Sequence, residues 1–583
     1  NIVLKQQPDA GSSGGLTISG GTTGRADIGG NLGYQNGPLS LYGSYGFLRD
    51  NRPRRDSIFR TNTFQSPVTF LDEAGHRTQE PLAHTVTGSA SLEIGKQDEM
   101  SAELIYSTRR ELESNGILYR DLDAARDPTG LSDRLTTGTN YESSFEGTLG
   151  YKHAFGEDHE VSAELGVVRD EEGGPNTIVA RMLALDGAPV ATTARENQAG
   201  WEHPRENSLK VDYTRPLSSS LRLEAGYKGL QQGFHTTLAT RVFDTTEALY
   251  LPDSTRISNF TYDQVVHAVY GMLGAAVGKF QLQGGVRVEH ASTQFHLRTL
   301  AATYDNSYNS VFPSGLIAWN IDELNQVKLS YSSRIRRPDD TDLLDPTPHI
   351  ADPLNISIGN PNLKPEYIRA FEVGLQRTAG QVTVQVTPFF RHTVDAVRSI
   401  RTIDSAGVTT RTFANVATSD GYGADVTVAM SGGRLSGFAG ASAFRQVSNA
   451  ANLATDLSTR TFGWNARTNV SFRVSSRLDL QMLLSYRAAM TVEQGRNSSQ
   501  TRFSFAVRRK LLNDQLSLTL RVIDPFNTAR ESSTTIDPQF TQVSSRRRAI
   551  RGLLLSVNWT FGHPPKENGR DPNDLNGAEG GTP

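Results

Sequence analysis

Alternation of apolar and polar residues with a period of two recurs through about 22 short stretches of this chain, and the links between them run short, then long, then short again. A period of two sends successive side chains to opposite faces of a strand, so each stretch carries one apolar and one polar face. Leu478, Leu480, Met482, Leu484 and Tyr486 alternate with Asp479, Gln481, Ser485 and Arg487, interrupted by Leu483. Leu516, Leu518, Leu520 and Val522 interleave with Ser517, Thr519 and Arg521, and Phe503, Phe505 and Val507 with Arg502, Ser504 and Arg508. An arginine in a membrane-crossing strand must face water, because at the bilayer midplane it would cost about 2–4 kcal/mol. The pattern predicts an all-β fold, a transmembrane antiparallel β-barrel of about 22 strands with short periplasmic turns and long extracellular loops.

Composition narrows the alternatives. Only 37 % of the 583 residues are hydrophobic, and no stretch approaches the roughly 18 uninterrupted apolar residues that a spanning helix needs. A barrel strand of about 9–11 residues needs only half of them apolar, because the others face a polar lumen. The 59 basic and 62 acidic residues are spread along the chain, which leaves no basic field for nucleic acid. Cysteine is absent, which excludes disulfides and thiolate metal sites. A soluble propeller or a string of sandwiches would also give many short strands, but no blade motif repeats here.

The links set the polarity. Short turn signals stand at Asn36-Gly37-Pro38, Lys96-Gln97-Asp98, Gly156-Glu157-Asp158, Ser218-Ser219-Ser220, Asp322-Glu323-Leu324, Ser475-Ser476 and Asn513-Asp514. Between them lie polar intervals near Asp50–Leu82, Glu113–Thr137, Asp170–Glu206, Phe234–Asn259, Ser292–Tyr308 and Arg336–Pro365, read as external loops that hold most of the chain outside the wall. So large an investment in one face points to recognition there.

Ser330-Tyr331-Ser332-Ser333-Arg334, then Asp352-Pro353-Leu354-Asn355, then Gly359-Asn360-Pro361-Asn362-Leu363-Lys364-Pro365-Glu366 resemble the barrel of TonB-dependent outer-membrane receptors. Asn1-Ile2-Val3-Leu4-Lys5 is similar to the last strand of that family's plug domain. The resemblance implies a boundary near residue 12, a barrel over 13–562 and an integral outer-membrane location. Gly552, Val557, Trp559 and Phe561, with Leu553 and Leu555, resemble the terminal signal read by the barrel-assembly machinery; as lipid-facing residues of a closing strand they would look the same. Residues 563–583, rich in Pro, Gly, Asn and Asp, are expected to be a disordered periplasmic tail. The family's plug and TonB box are not in this chain, so coupling to TonB is expected only through a plug that preceded Asn1 in the native polypeptide.

No signature of an enzyme stands out, since the twelve histidines are scattered and no Walker loop or nucleophile elbow occurs. No cofactor or metal is expected. Asp339, Asp340 and Asp342 could hold a divalent cation through carboxylates, or form a solvated acidic loop, as the missing glycine and distal glutamate of a calcium site suggest. Basic residues cluster at Arg49, Arg52, Arg54 and Arg55, at Arg334, Arg336 and Arg337, and at Arg546, Arg547, Arg548 and Arg551. One reading is a vestibule that draws in an anionic ligand such as a ferric siderophore; the others are lipopolysaccharide phosphates outside the barrel, or ordinary lumen lining. Phe59, Phe64, Phe70, Tyr304 and Tyr308 offer stacking surfaces, or belong to the interfacial girdle. The expected function is a receptor barrel that binds a scarce nutrient (siderophore, vitamin, glycan or peptide) and mediates its passage. A plugless passive channel and a surface adhesion barrel are the rivals. A surface lipoprotein partner is compatible with either class.

Overall fold

The computed structural model describes residues 11–562 apart from 23, 339–343 and 454–456. Among the described residues, 22 antiparallel strands form one closed wall. Its first strand, Gly11–Gly21, pairs with its last, Gly552–Phe561, setting Leu16 opposite Trp559 and Ile18 opposite Val557. An even number of strands brings both ends of the wall to one rim, the inner rim.

The two-faced reading of the strands holds across the ladder. Leu480, Met482 and Leu484 lie opposite Val507, Phe505 and Phe503, and the last strands continue the same face through Leu518 and Leu520 opposite Val557 and Leu555. Protein covers little of this face: Leu555 is 51 % exposed and Val277 60 %. Surface of that kind must be solvated by lipid. Arg502 and Arg508 take the opposite face with Ser485 and Asp479.

Inner-rim turns fall where the sequence marks them, for example between Asn36 and Leu39 and between Ser475 and Leu478. Three more join Val277 to Phe280, Ala379 to Val382 and Met430 to Leu435. Two of these use Gly278 and Gly380 at φ 58° and 60°, the left-handed conformation that two-residue hairpin turns need.

The outer side differs from expectation. Most of the intervals read as loops are strand: Thr69–Ile94, Pro128–Gly156 and Pro189–Ser218 run for 26, 29 and 30 residues. Glu113–Thr137 contains only the Asp123–Asp127 turn outside strands. A span needs only about 9–11 residues, so these hairpins stand well clear of the membrane. There neither face meets lipid and the apolar half of the pattern fades, while the backbone ladder continues with register shifts such as those at Asp121/Leu122 and Ala180/Arg181.

Two places depart from tall hairpins. The first hairpin stops at residues 22–25, and above it Arg54–Asn62, which extends the line of Leu39–Arg49 along Thr69–Ile94, pairs directly with Phe540–Arg548. The second is the interval from Arg337 to Pro365, where the described strands are only His349–Asp352 and Asn355–Ser357.

Candidate functional site

The interval 337–365 crosses the lumen in its described part, residues 344–365. Its flanking strands, Asn325–Arg336 and Glu366–Ala379, are the thirteenth and fourteenth of the wall, yet its tip bonds to the fourth and fifth, Thr69–Ile94 and Asp98–Leu122. Tyr119 Oη donates to Asp352 Oδ1 at 3.0 Å and Asn355 Nδ2 to Glu73 Oε1 at 3.0 Å. The tip also runs parallel to Thr409–Arg411 of a further tall hairpin.

A buried polar hub holds the far end. Arg60 Nη2 donates to the Gly407 carbonyl at 2.6 Å, Nη1 to Thr409 Oγ1 at 2.7 Å and Nε to Asn62 Oδ1 at 2.9 Å. One guanidinium thereby ties the Arg54–Asn62 strand to the turn at Gly407 and Thr409 and, through Nη1 to the Leu354 carbonyl at 3.5 Å, to the tip of the crossing segment. Glu73, 3 % exposed, is hydrogen-bonded to Asp352. Burial first, then the neighbouring Asp352 carboxylate, push Glu73 up to about 8, against the opposing pull of Arg60 and Asn355. Asp352 already accepts from Tyr119, from the Leu354 N–H at 3.0 Å and from Asn355 at 2.7 Å, so the shared proton sits on Glu73. Burial and the same two carboxylates raise the Tyr119 phenol, and burial pulls the Arg60 guanidinium down.

The near end is packed by hydrophobic contact. Leu344, 1 % exposed, inserts among Phe234, Phe260, Tyr262, Phe295 and Leu297 on the lumen side of the ninth to eleventh strands. The rings of Phe234 and Phe295 lie 5.1 Å from that of Tyr262. Ser258 Oγ donates to Asp345 Oδ2 at 3.0 Å beside it. Between this segment and the wall is a cavity of about 440 Å³, lined among others by Tyr262, Tyr304, Tyr308, Arg337, Leu363 and Lys364.

The motif that carries the resemblance works as a clamp. A Cβ on Gly359 would lie 2.6 Å from the Asp345 backbone nitrogen and oxygen. Asn360 Nδ2 donates to the Phe413 carbonyl at 2.9 Å, and its Oδ1 accepts from the Asn362 N–H at 3.0 Å. Leu363 is buried, and Pro361 and Pro365 line the cavity. The Lys364 N–H and carbonyl both bond to the Asn415 amide, and Glu366 accepts from the Val397 N–H at 2.5 Å and pairs with Arg336 at 2.6 Å.

The expected arginine sites separate. Arg337 turns to Glu289 at 2.5 Å and Tyr308 at 2.9 Å, at the cavity edge. Arg334 and Arg336 share the lumen face of their strand, and Arg334 has no ion pair among the described residues. Arg52 and Arg54 bond to Asp50 and Asp56 at 2.9 and 2.8 Å on another part of the wall, where Arg54 and Arg55 stand opposite Arg548 and Arg547. No single vestibule gathers all the runs. Asp339, Asp340 and Asp342 lie outside the described residues, as do 1–10 and 563–583 with the expected plug strand and tail. Phe59 and Phe70 stack at 5.8 Å beneath Arg126, away from the cavity, whereas Tyr304 and Tyr308 line it. Glu73, Tyr119 and Arg60 were not singled out from sequence; an acid and an arginine inside strand-forming runs were the only trace they left.

Residues 153–559 match the family described as outer membrane protein beta-barrel family. The chain belongs to that family and is an integral outer-membrane protein with its tall hairpins outside the cell. Its fold is shared with the copper transporter OprC (12 % identity, TM-score 0.61, covering 96 % of this chain and 81 % of that one). It is likewise shared with the ferric yersiniabactin uptake receptor FyuA from Yersinia pestis (13 %, 0.58, 95 % and 81 %) and the ferric-catecholate import receptor Fiu from E. coli (11 %, 0.61, 95 % and 82 %). No curated protein sequence matches the chain.

Proposed function

We propose that this barrel is the outer-membrane wall of a receptor that captures a scarce nutrient and releases it inward, with energy delivered by TonB through a plug. The observation that carries this reading is the segment 344–365, which reaches across the mouth to the fourth strand and leaves an aromatic and cationic cavity beneath it. A passive pore has no use for a strap tied at both ends. Tyr304 and Tyr308 offer ring faces to an unsaturated or sugar-like solute, and Arg337 and Lys364 favour an anionic one. The structurally similar proteins, transporters and receptors for copper and ferric chelates, agree with a metal-chelate substrate. The test is uptake of radiolabelled ferric chelates and copper by cells with and without the protein, each with and without a protonophore. Protein-dependent uptake that the protonophore abolishes is expected. Protonophore-insensitive uptake would establish a passive channel, and surface binding with no uptake a scaffold.

A further inference from the structure

Two arginine runs at opposite ends of the chain meet on the outside of the barrel. Arg55 stands opposite both His76 and Arg547, and Arg547 also opposite Arg530, so four basic residues occupy one rung across four neighbouring strands. Directly opposed residues share a face. Which face follows from Thr69–Ile94, whose pairing with Asp98–Leu122 is unbroken. Leu71, Glu73 and Pro81 are buried on the lumen side, whereas Leu82, Val86 and Leu92 are exposed on the lipid side, and His76 has their parity. The row therefore faces outward, and all four side chains are exposed.

Alternate residues of the same runs are treated differently. Most of those pointing inward are paired: Arg54 and Arg546 both reach Asp56, at 2.8 and 3.4 Å, and Arg77 reaches Glu113 at 2.7 Å, while Arg548, opposite Arg54, has no ion pair among the described residues. Those pointing outward are not. Arg55 and Arg547 have no ion pair among the described residues, and Arg530 donates from Nε to Ser545 Oγ at 2.8 Å. The next rung of that face carries Ala74, Ser57, Ser545 and Ser532, so hydroxyls rather than carboxylates adjoin the row. Like charges set opposite one another repel, and a row built without its own counterion leaves that role to something outside the chain.

Its place identifies the anion. The row stands above the short first hairpin and beyond the lipid-facing girdle in which Tyr45 Oη bonds His84 Nδ1 at 2.8 Å. We infer that this face docks the phosphate groups of an outer-leaflet glycolipid, lipopolysaccharide. The guanidiniums of Arg55, Arg547 and Arg530 act as charge-assisted donors, and the serines serve the remaining phosphate oxygens. Strands about 4.8 Å apart make the row about 14 Å wide, room for more than one phosphate.

The test is native mass spectrometry of the full chain extracted from outer membranes and titrated with rough lipopolysaccharide. The wild type is expected to hold one molecule, and the triple variant Arg55→Ser/Arg547→Ser/Arg530→Ser to bind at least tenfold more weakly. The triple lysine variant keeps the charge and is expected to retain most binding. Lipopolysaccharide stripped of its phosphates is expected to bind as weakly to the wild type as the intact form does to the serine variant. Equal binding by wild type and serine variant would overturn the inference. So would displacement by inorganic phosphate at equal concentration, which would mark the row as a site for any phosphate. If the serine variant does not fold, as judged by heat-modifiable gel mobility, Arg547→Glu alone serves, and undiminished binding by it would equally refute the docking face.

Discussion

The strap should loosen as the medium turns alkaline, because the docked state holds a proton on Glu73 that the undocked state releases. Glu73 is pushed up to about 8 when buried against Asp352, Arg60, Tyr119 and Asn355, with Asp121 and Asp404 also facing Arg60. Undocked and solvated, it returns to the usual carboxylate range. The tie is therefore fully present below that range and is lost progressively as pH rises through about 8. Each unit of separation corresponds to about 1.36 kcal/mol, so the weakening sums to about 4–5 kcal/mol, with little solvent screening at a residue only 3 % exposed. That is comparable to the whole cost of separating one buried polar pair, about 3–5 kcal/mol. The chain has no cysteine, so Pro353→Cys gives a unique spin label at the tip. Label mobility is expected to be lowest near pH 5, to rise through pH 6–8 and to level off above pH 8, whereas Glu73→Gln, whose amide donates to Asp352 at every pH, stays flat. Equal mobility at pH 6 and 9 in the parent, or an equal rise in Glu73→Gln, would refute the reasoning.

Three further outcomes are expected. Gly359→Ala drives a methyl into the Asp345 backbone and should cost the clamp about 1–3 kcal/mol, read as faster hydrogen exchange over 360–365 with the wall unchanged. Leu344→Ala empties the centre of the aromatic cluster at about 2–5 kcal/mol, which limited proteolysis should register as faster cutting within 337–365 while the heat-modifiable gel shift of the barrel stays the same. Arg334→Ser should weaken capture of an anionic ferric chelate without changing thermal stability. Arg337→Ser should lower both, because Glu289 is left with Arg287 alone; equal thermal midpoints for the two variants would remove Arg337 from the strap's anchorage.

Much of the wall was legible because lipid enforces the pattern. Leu478–Arg487 and its neighbours could be assigned to faces from sequence, since any slip of one residue would place Arg502 or Arg508 in hydrocarbon. Past the membrane that enforcement ends, and the strands through Glu113–Thr137 and Asp170–Glu206 read as loops although their ladders carry on through a few register shifts. The site was legible in part. The Gly359–Glu366 run announced itself, but its work of clamping onto Phe413, Asn415 and Val397 depends on a hairpin 31 to 53 residues further along the chain. Glu73 and Asp352 become a proton-sharing pair only because a segment leaving the thirteenth strand reaches the fourth, and no local pattern encodes that crossing. Arg55 and Arg547 looked like separate clusters because the ladder that joins them closes over the first hairpin.

The central claim is that the segment 344–365 closes the outer mouth of the barrel. Single-channel recording in planar bilayers tests it most directly, comparing the chain with a variant whose residues 345–358 are replaced by a short Gly-Ser linker. The expected result is small, brief openings for the intact chain and large, long-lived steps for the shortened one. Large steady steps from the intact chain, unchanged by the replacement, would contradict the claim and leave an open pore.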